Sequence, residues 1–284
     1  MAQSNTHDQM RGKVVMLTGA NAGMGKEIAL GLAAMGATLL MVSRDRARGE
    51  AARVDVQQRT GNHDVEVLIG DLSSQQSIRR LVQEFEARHD RLHVLVNNAG
   101  MSQPSRTETV DGLETIFATN HLGPFLLTNL LLPVLTASAP ARIVTVSSGA
   151  QAMAKIDFDD LQSVRGFGEI RVYNASKLAN IVFTYELARR LAGTGVTANA
   201  VEPGFVKTNL KVPFPFSIFS FMRGPAEAGA RPSVFLASSV EVEGVTSIFF
   251  NSRGVPIKST KSSYDEGIAR RLWQVSAELT QLDA

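Results

Sequence analysis

Cysteine is absent from all 284 residues. Disulfides, thiolate metal sites and cysteine nucleophiles are thereby excluded. Histidine is scarce: there are five, with no cysteine to join them, so no structural or catalytic metal is expected. An excess of one charge is lacking too. The formal net charge is +2 with Lys and Arg scattered, which leaves no footprint for nucleic acid. Long hydrophobic runs are also missing. The most apolar stretch, Leu126–Leu135, is interrupted by Thr128, Asn129 and Pro133 and falls short of the ~20 residues of a bilayer-spanning helix. Residues 1–13 are polar and contain no apolar core of a signal peptide. A water-soluble, cytoplasmic protein is expected.

What is present is ordinary for a globular chain: 44% hydrophobic and 20% charged residues, in a length suited to one large domain. Residues 1–12 read as a polar tail and 13–284 as a single domain. Short apolar runs alternate with longer amphipathic ones. Strands are expected at Val14–Leu17, Leu39–Val42, Val65–Ile69, Val94–Val96, Ile143–Val146, Val196–Val201 and around Thr246–Asn251. Helices are expected at Lys26–Met35, Arg46–Arg59, Gln75–Arg88, Gly112–Leu135, Tyr173–Leu191 and around Pro225–Ser238. Residues 263–284 hold a last helix, amphipathic over Tyr264–Leu282. Near-continuous Val/Ile/Leu strands alternating with helices predict an α/β fold, a doubly wound parallel sheet of Rossmann type with helices on both faces.

Between the first strand and first helix lies Thr18-Gly19-Ala20-Asn21-Ala22-Gly23-Met24-Gly25. Glycines there permit a tight turn and close approach of backbone to a pyrophosphate, which the helix N-terminus attracts. The spacing is Gly-x3-Gly-x-Gly rather than the general dinucleotide fingerprint. At the end of the second strand, a carboxylate would accept the ribose hydroxyl of NAD. The residues present are Ser43 and Arg44, and a guanidinium suits the 2′-phosphate of NADP(H). Asp45 is read as the N-cap of the next helix, and Arg44 has a second reading as a solvated surface residue. Tyr173 and Lys177 stand at i and i+4 on one helix face, where an ammonium lowers the pKa of a phenol.

Taken in order, Thr18–Gly25, Asn97-Asn98-Ala99-Gly100, Asn120, Ser147-Ser148, Tyr173-x3-Lys177 and Pro203-Gly204 resemble the short-chain dehydrogenase/reductase family over essentially the whole chain. Ser43-Arg44-Asp45, Asn120-His121-Leu122-Gly123, Ser176–Asn180, Arg271-Leu272-Trp273 and Phe158-Asp159-Asp160-Leu161 are similar to the retinol dehydrogenase and WW-domain oxidoreductase branch. The resemblance implies hydride transfer between a nicotinamide and an aldehyde, ketone or alcohol. It implies Tyr173 as general acid/base, Lys177 as ribose ligand, Ser148 rather than Ser147 as the group on the substrate oxygen, and Asn120 as the residue holding its helix open.

For the cofactor, the resemblance implies contacts from Gly19, Asn21, Ala22, Gly23, Met24, Gly25, Ser43 and Arg44. Asp71 and Leu72 are implied beside adenine, and Asn98, Ala99 and Gly100 along the cleft. Pro203, Gly204, Val206 and Thr208 are implied around the nicotinamide and pyrophosphate. A homodimer or homotetramer through the helices at Gly112–Leu135 and Tyr173–Leu191 is implied as well. The polar residues 1–12 differ from the N-terminal anchor of animal retinol dehydrogenases. Glu202 has no assigned role. Residues 205–224 hold five of the fourteen phenylalanines and two prolines, Pro213 and Pro215. We read them as a lid over an apolar substrate, with core packing or a surface contact as alternatives.

Overall fold

The computed structural model describes residues 8–205 and 224–282. The strands β1 (Val14–Thr18), β2 (Thr38–Ser43), β3 (Val65–Ile69), β4 (Val94–Asn97), β5 (Ala141–Val146) and β6 (Val196–Val201) are buried along most of their lengths. Together with β7 (Phe249–Phe250) and β8 (Pro256–Ile257) they form one sheet in the order β3-β2-β1-β4-β5-β6-β7-β8. Pairing is parallel from β3 through β7. Only β8 runs antiparallel, on β7. The order of strands reverses between β1 and β4, and the crevice beyond their carboxyl ends is where open α/β sheets bind ligands.

Both faces carry a core, and the alternation of side chains along the strands decides which residue serves which. Val15, Leu17, Leu39 and Met41 pack with α1 (Gly23–Ala34), α2 (Arg46–Thr60) and α7 (Ala226–Ser238) through Ile28, Leu32, Val56 and Leu236. Met16, Leu40 and Val42 point the other way. They meet α3 (Gln75–Glu86), α5 (Gly123–Ala137) and α6 (Glu169–Arg190) through Leu81, Phe85, Phe125, Phe183 and Leu187.

Three expectations are corrected. The helix expected over Gly112–Leu135 is divided. It opens as α4 (Thr115–Phe117), capped by the Glu114 carboxylate on the N–H groups of Ile116 and Phe117. It then widens into a π-turn at Ala118–Leu122 and continues as α5 to Ala137. The last strand is only Phe249–Phe250, because Ser247 stands at φ +62°, in the left-handed region that strands exclude. It is followed by the unforeseen β8, where a proline is tolerated at the sheet edge. The last helix, α8, covers Glu266–Leu279, capped by Asp265 and preceded by a 3₁₀ turn at Lys261–Tyr264.

The π-turn is held by side chains of two neighbouring helices. His121 is fully buried, with Nδ1 3.3 Å from Asn180 Oδ1 on α6 and Nε2 3.0 Å from Ser276 Oγ on α8. The carboxamide oxygen can only accept, so the neutral ring donates from Nδ1 and accepts the Ser276 hydroxyl at Nε2. Burial pushes the His121 pKa down to about 4, the bond to Asn180 acting in the opposite sense. Trp273 on α8 lies against Phe125 and Phe183 at centroid distances of 5.1 and 5.8 Å. The Arg190 guanidinium lies 4.0 Å from the indole. Among the described residues no helix is long and apolar enough to cross a membrane.

Candidate active site

A cleft of about 1030 Å³ opens at the carboxyl ends of the strands. One end is the glycine turn between β1 and α1. Gly19 stands at φ +66°, and a Cβ on Gly25 would collide with the Gly19 carbonyl, so both positions need glycine. Thr18 ties the turn to the neighbouring strand: its Oγ1 accepts from the N–H groups of Asn98 and Ala99, both at 3.0 Å. Asn98 Nδ2 donates back to the Thr18 carbonyl at 2.8 Å. The N-cap of α1 is Ala22, with no side-chain hydrogen bond to the first turn. Free N–H groups of that turn therefore face the cleft beside Asn21, Ala22, Gly23 and Met24, an arrangement that suits a pyrophosphate.

The end of β2 borders the same cleft through Ser43, Arg44, Asp45 and Arg48. The Ser43 hydroxyl donates to the Asp45 carbonyl at 2.9 Å. The Asp45 carboxylate accepts from Arg48 N and caps α2. Two exposed guanidiniums, Arg44 and Arg48, are left beside a capped acid. Arg48 was missed from sequence; the first turn of the helix after β2 was the place to look. Asp71 and Leu72 line the next stretch, and the Asp71 carboxylate accepts from Ser73 N and Oγ. This donor-rich floor fits a dinucleotide.

The other end holds the candidate catalytic residues. Ser148 caps the 3₁₀ turn Gly149–Met153, accepting from Ala150 N at 3.2 Å, and lines the cleft together with Tyr173. Ser147 is directed elsewhere, donating to the Lys177 carbonyl at 2.7 Å. Lys177 is buried, and its Nζ donates to the Val146 carbonyl at 3.1 Å and lies 5.7 Å from the Tyr173 ring centroid. Burial lowers its pKa to about 8. Burial raises the Tyr173 pKa, partly offset by the Ser148 hydrogen bond. The i, i+4 spacing had predicted a lowered value. In the protein alone, desolvation of the phenol sets the direction of the shift.

Asn120 is not on the cleft surface but directly behind it. Its Oδ1 accepts from Met101 N at 2.7 Å, and its Nδ2 donates to the Met101 carbonyl and to Ser176 Oγ at 2.9 and 3.1 Å. Ser176 Oγ in turn donates to the Tyr173 carbonyl. Gly100 separates the two layers. A Cβ there would stand 3.3 Å from Lys177 Nζ and 3.4 Å from Asn120 Oδ1. Ala99, Gly100, Pro203, Gly204 and Glu202 complete the lining. The chain leaves the described residues at Phe205 and re-enters at Gly224, whose N–H donates to the Phe205 carbonyl at 2.9 Å. Val206, Thr208 and the rest of the phenylalanine-rich segment lie outside the described residues. Among those described, no three His, Asp or Glu residues are grouped to hold a metal ion.

A glycine turn at the switch point of a doubly wound sheet, opening onto a Ser-Tyr-Lys group, defines a nicotinamide-dependent oxidoreductase of Rossmann type. The short chain dehydrogenase profile matches residues 13–215, and the chain belongs to that family. It is 43% identical to human retinol dehydrogenase 14, over 96% of this chain and 88% of that protein. It is also 43% identical to human retinol dehydrogenase 11, over 96% and 87% respectively. The crystal structure of an uncharacterized protein from Mycobacterium paratuberculosis superposes with a TM-score of 0.80 at 36% identity, covering 95% of this chain and 94% of that one. The chain is thus retinol dehydrogenase-like.

Proposed function

We propose that the protein is an NADP(H)-dependent oxidoreductase acting on a lipophilic aldehyde or ketone and the corresponding alcohol, with Tyr173 as its acid/base. The observation that carries this reading is the convergence of Ser148, Tyr173 and buried Lys177 in one cleft with the glycine turn. The bound nicotinamide supplies or accepts the hydride. In reduction, the Ser148 hydroxyl donates to the carbonyl oxygen and Tyr173 Oη passes its proton to it as the carbon becomes tetrahedral. In oxidation, the Tyr173 oxygen takes that proton back. Lys177 holds the ribose and favours the phenolate left on Tyr173. Asn120 fixes both backbone groups of Met101 and keeps the wall behind the phenol in place.

Residues Gly19–Gly25 hold the pyrophosphate in this proposal, and Asp71 and Leu72 flank the adenine. Asn98–Gly100, Pro203, Gly204, Val206 and Thr208 border the nicotinamide side. The names of the retinol dehydrogenase relatives point to a lipophilic alcohol or aldehyde. Met101, Met153, Ile170 and Phe205 supply apolar lining in the cleft for one.

Arg44 and Arg48 carry the preference for NADP(H). Turnover of an aldehyde panel with NADPH and with NADH tests it. The Arg44→Leu, Arg48→Leu double variant is expected to reduce the NADPH/NADH selectivity ratio about ten- to a hundredfold, the worth of a hydrogen bond to a charged group. An unchanged ratio places the 2′-phosphate elsewhere.

A further inference from the structure

Glu202 follows β6 directly, immediately before Pro203-Gly204, and its backbone is fixed by donation from its N–H to the Phe250 carbonyl at 2.9 Å. The side chain turns into the cleft. Its Oε2 lies so close over Gly149 that a Cβ there would be 2.8 Å away, one residue from the Ser148 that meets Tyr173. Two buried carboxylates elsewhere in the described residues are satisfied. Glu114 accepts two backbone N–H groups, and Glu186 pairs with Arg189 and Arg190. The Glu202 carboxylate has no hydrogen bond or ion pair among the described residues. Burial raises its pKa. The carboxylate lines the cleft with acceptor oxygens open to a group that enters it.

We propose that Glu202 binds a hydrogen-bond donor, a hydroxyl or an ammonium, that the substrate carries close to its reacting carbonyl. This rests on the reading of the cleft as a carbonyl and alcohol site and narrows its substrate class. The substrate is amphipathic, with an apolar body and a polar substituent beside the carbonyl. Glu202 is a specificity residue here and takes no part in the proton transfer assigned to Tyr173.

The test uses three ketones of equal chain length: unsubstituted, α-hydroxy and α-amino. Each is measured by kcat/KM with NADPH and by Kd to the enzyme saturated with NADP⁺, for the wild type, Glu202→Gln and Glu202→Leu. In Glu202→Leu the preference for a substituted ketone over the plain one is expected to fall about ten- to a hundredfold in both measurements. The nearly isosteric Glu202→Gln keeps an acceptor but no charge, so it should weaken the amino ketone more than the hydroxy ketone if the natural donor is an ammonium. Unchanged ratios overturn the proposal. So does a loss of NADPH affinity that runs parallel to the loss of ketone binding, because the carboxylate then serves the cofactor. If the Kd preference depends on Glu202 but no ketone is turned over, the functional reading fails and the Glu202 assignment stands. Turnover with ratios indifferent to Glu202 is the reverse case.

Discussion

Replacement of Tyr173 by Phe is expected to lower turnover by at least about a hundredfold, the usual contribution of a positioned acid or base, while NADPH still binds. The substitution removes one oxygen and keeps a ring at a half-buried site. Tyr173 lines the cleft and the ring is kept, so the fold should survive. The phenol has its pKa raised by burial, which opposes proton exchange at neutral pH. The nearby charge that can counter this is the Lys177 ammonium, whose pKa burial brings down to about 8. That charge is present below pH 8 and disappears as pH rises through it. The kcat/KM profile, which reports the free enzyme, should therefore fall on its alkaline side near pH 8. Stopped-flow turnover and NADPH titration of Tyr173→Phe provide the check. More than a few per cent of wild-type rate would remove Tyr173 from the acid/base role.

Acidification should weaken the fold through His121. An unfolded histidine titrates near ~6.5, and His121 in the fold titrates at about 4. Between these values the unfolded chain binds the extra proton, so stability falls as pH falls across the window. Above pH 6.5 the contribution is fully present, and below 4 it has gone. The difference corresponds to about 3 kcal/mol at most. Protonation also removes the acceptor at Nε2 and strands the Ser276 hydroxyl on α8. Urea unfolding of wild type and His121→Gln at intervals from pH 7.5 to 4 isolates this group, because other carboxylates and histidines cancel in the difference. The variant should be less stable at pH 7.5, and the gap should close toward pH 4. A gap independent of pH would show that His121 does not titrate in this range.

Much of the sheet was legible because its strands are buried on both faces and read as uninterrupted Val, Ile, Leu and Met runs. β7 was placed but read as too long, and β8 was not foreseen, since a two-residue strand has no periodicity to detect. The π-turn was hidden for another reason. Its cause lies in bonds from Asn120 and His121 to Met101, Asn180 and Ser276, and no local pattern announces partners so distant in sequence. Glu114 is an uncommon cap, so the true start of that helix was missed as well. Among the candidate site residues, the glycine turn and the Tyr173/Lys177 pair depend on short spacings and could be read directly. The orientation of Ser147 away from the phenol, the place of Arg48 beside Arg44, and the bare Glu202 carboxylate all depend on where separate elements converge.

Trp273 is the sole tryptophan in the chain, and its indole is set between Phe125, Phe183 and the Arg190 guanidinium. All of the protein's indole fluorescence therefore arises where the C-terminal helix meets α5 and α6, and none from the cleft lining. Release of α8 would move the fluorophore from an aromatic contact into water and shift its emission to the red, while the far-ultraviolet dichroism of the sheet stayed constant. The protein thus carries an optical gauge of its own C-terminal closure, readable without labelling in the absence of reduced nicotinamide, whose absorption overlaps indole emission.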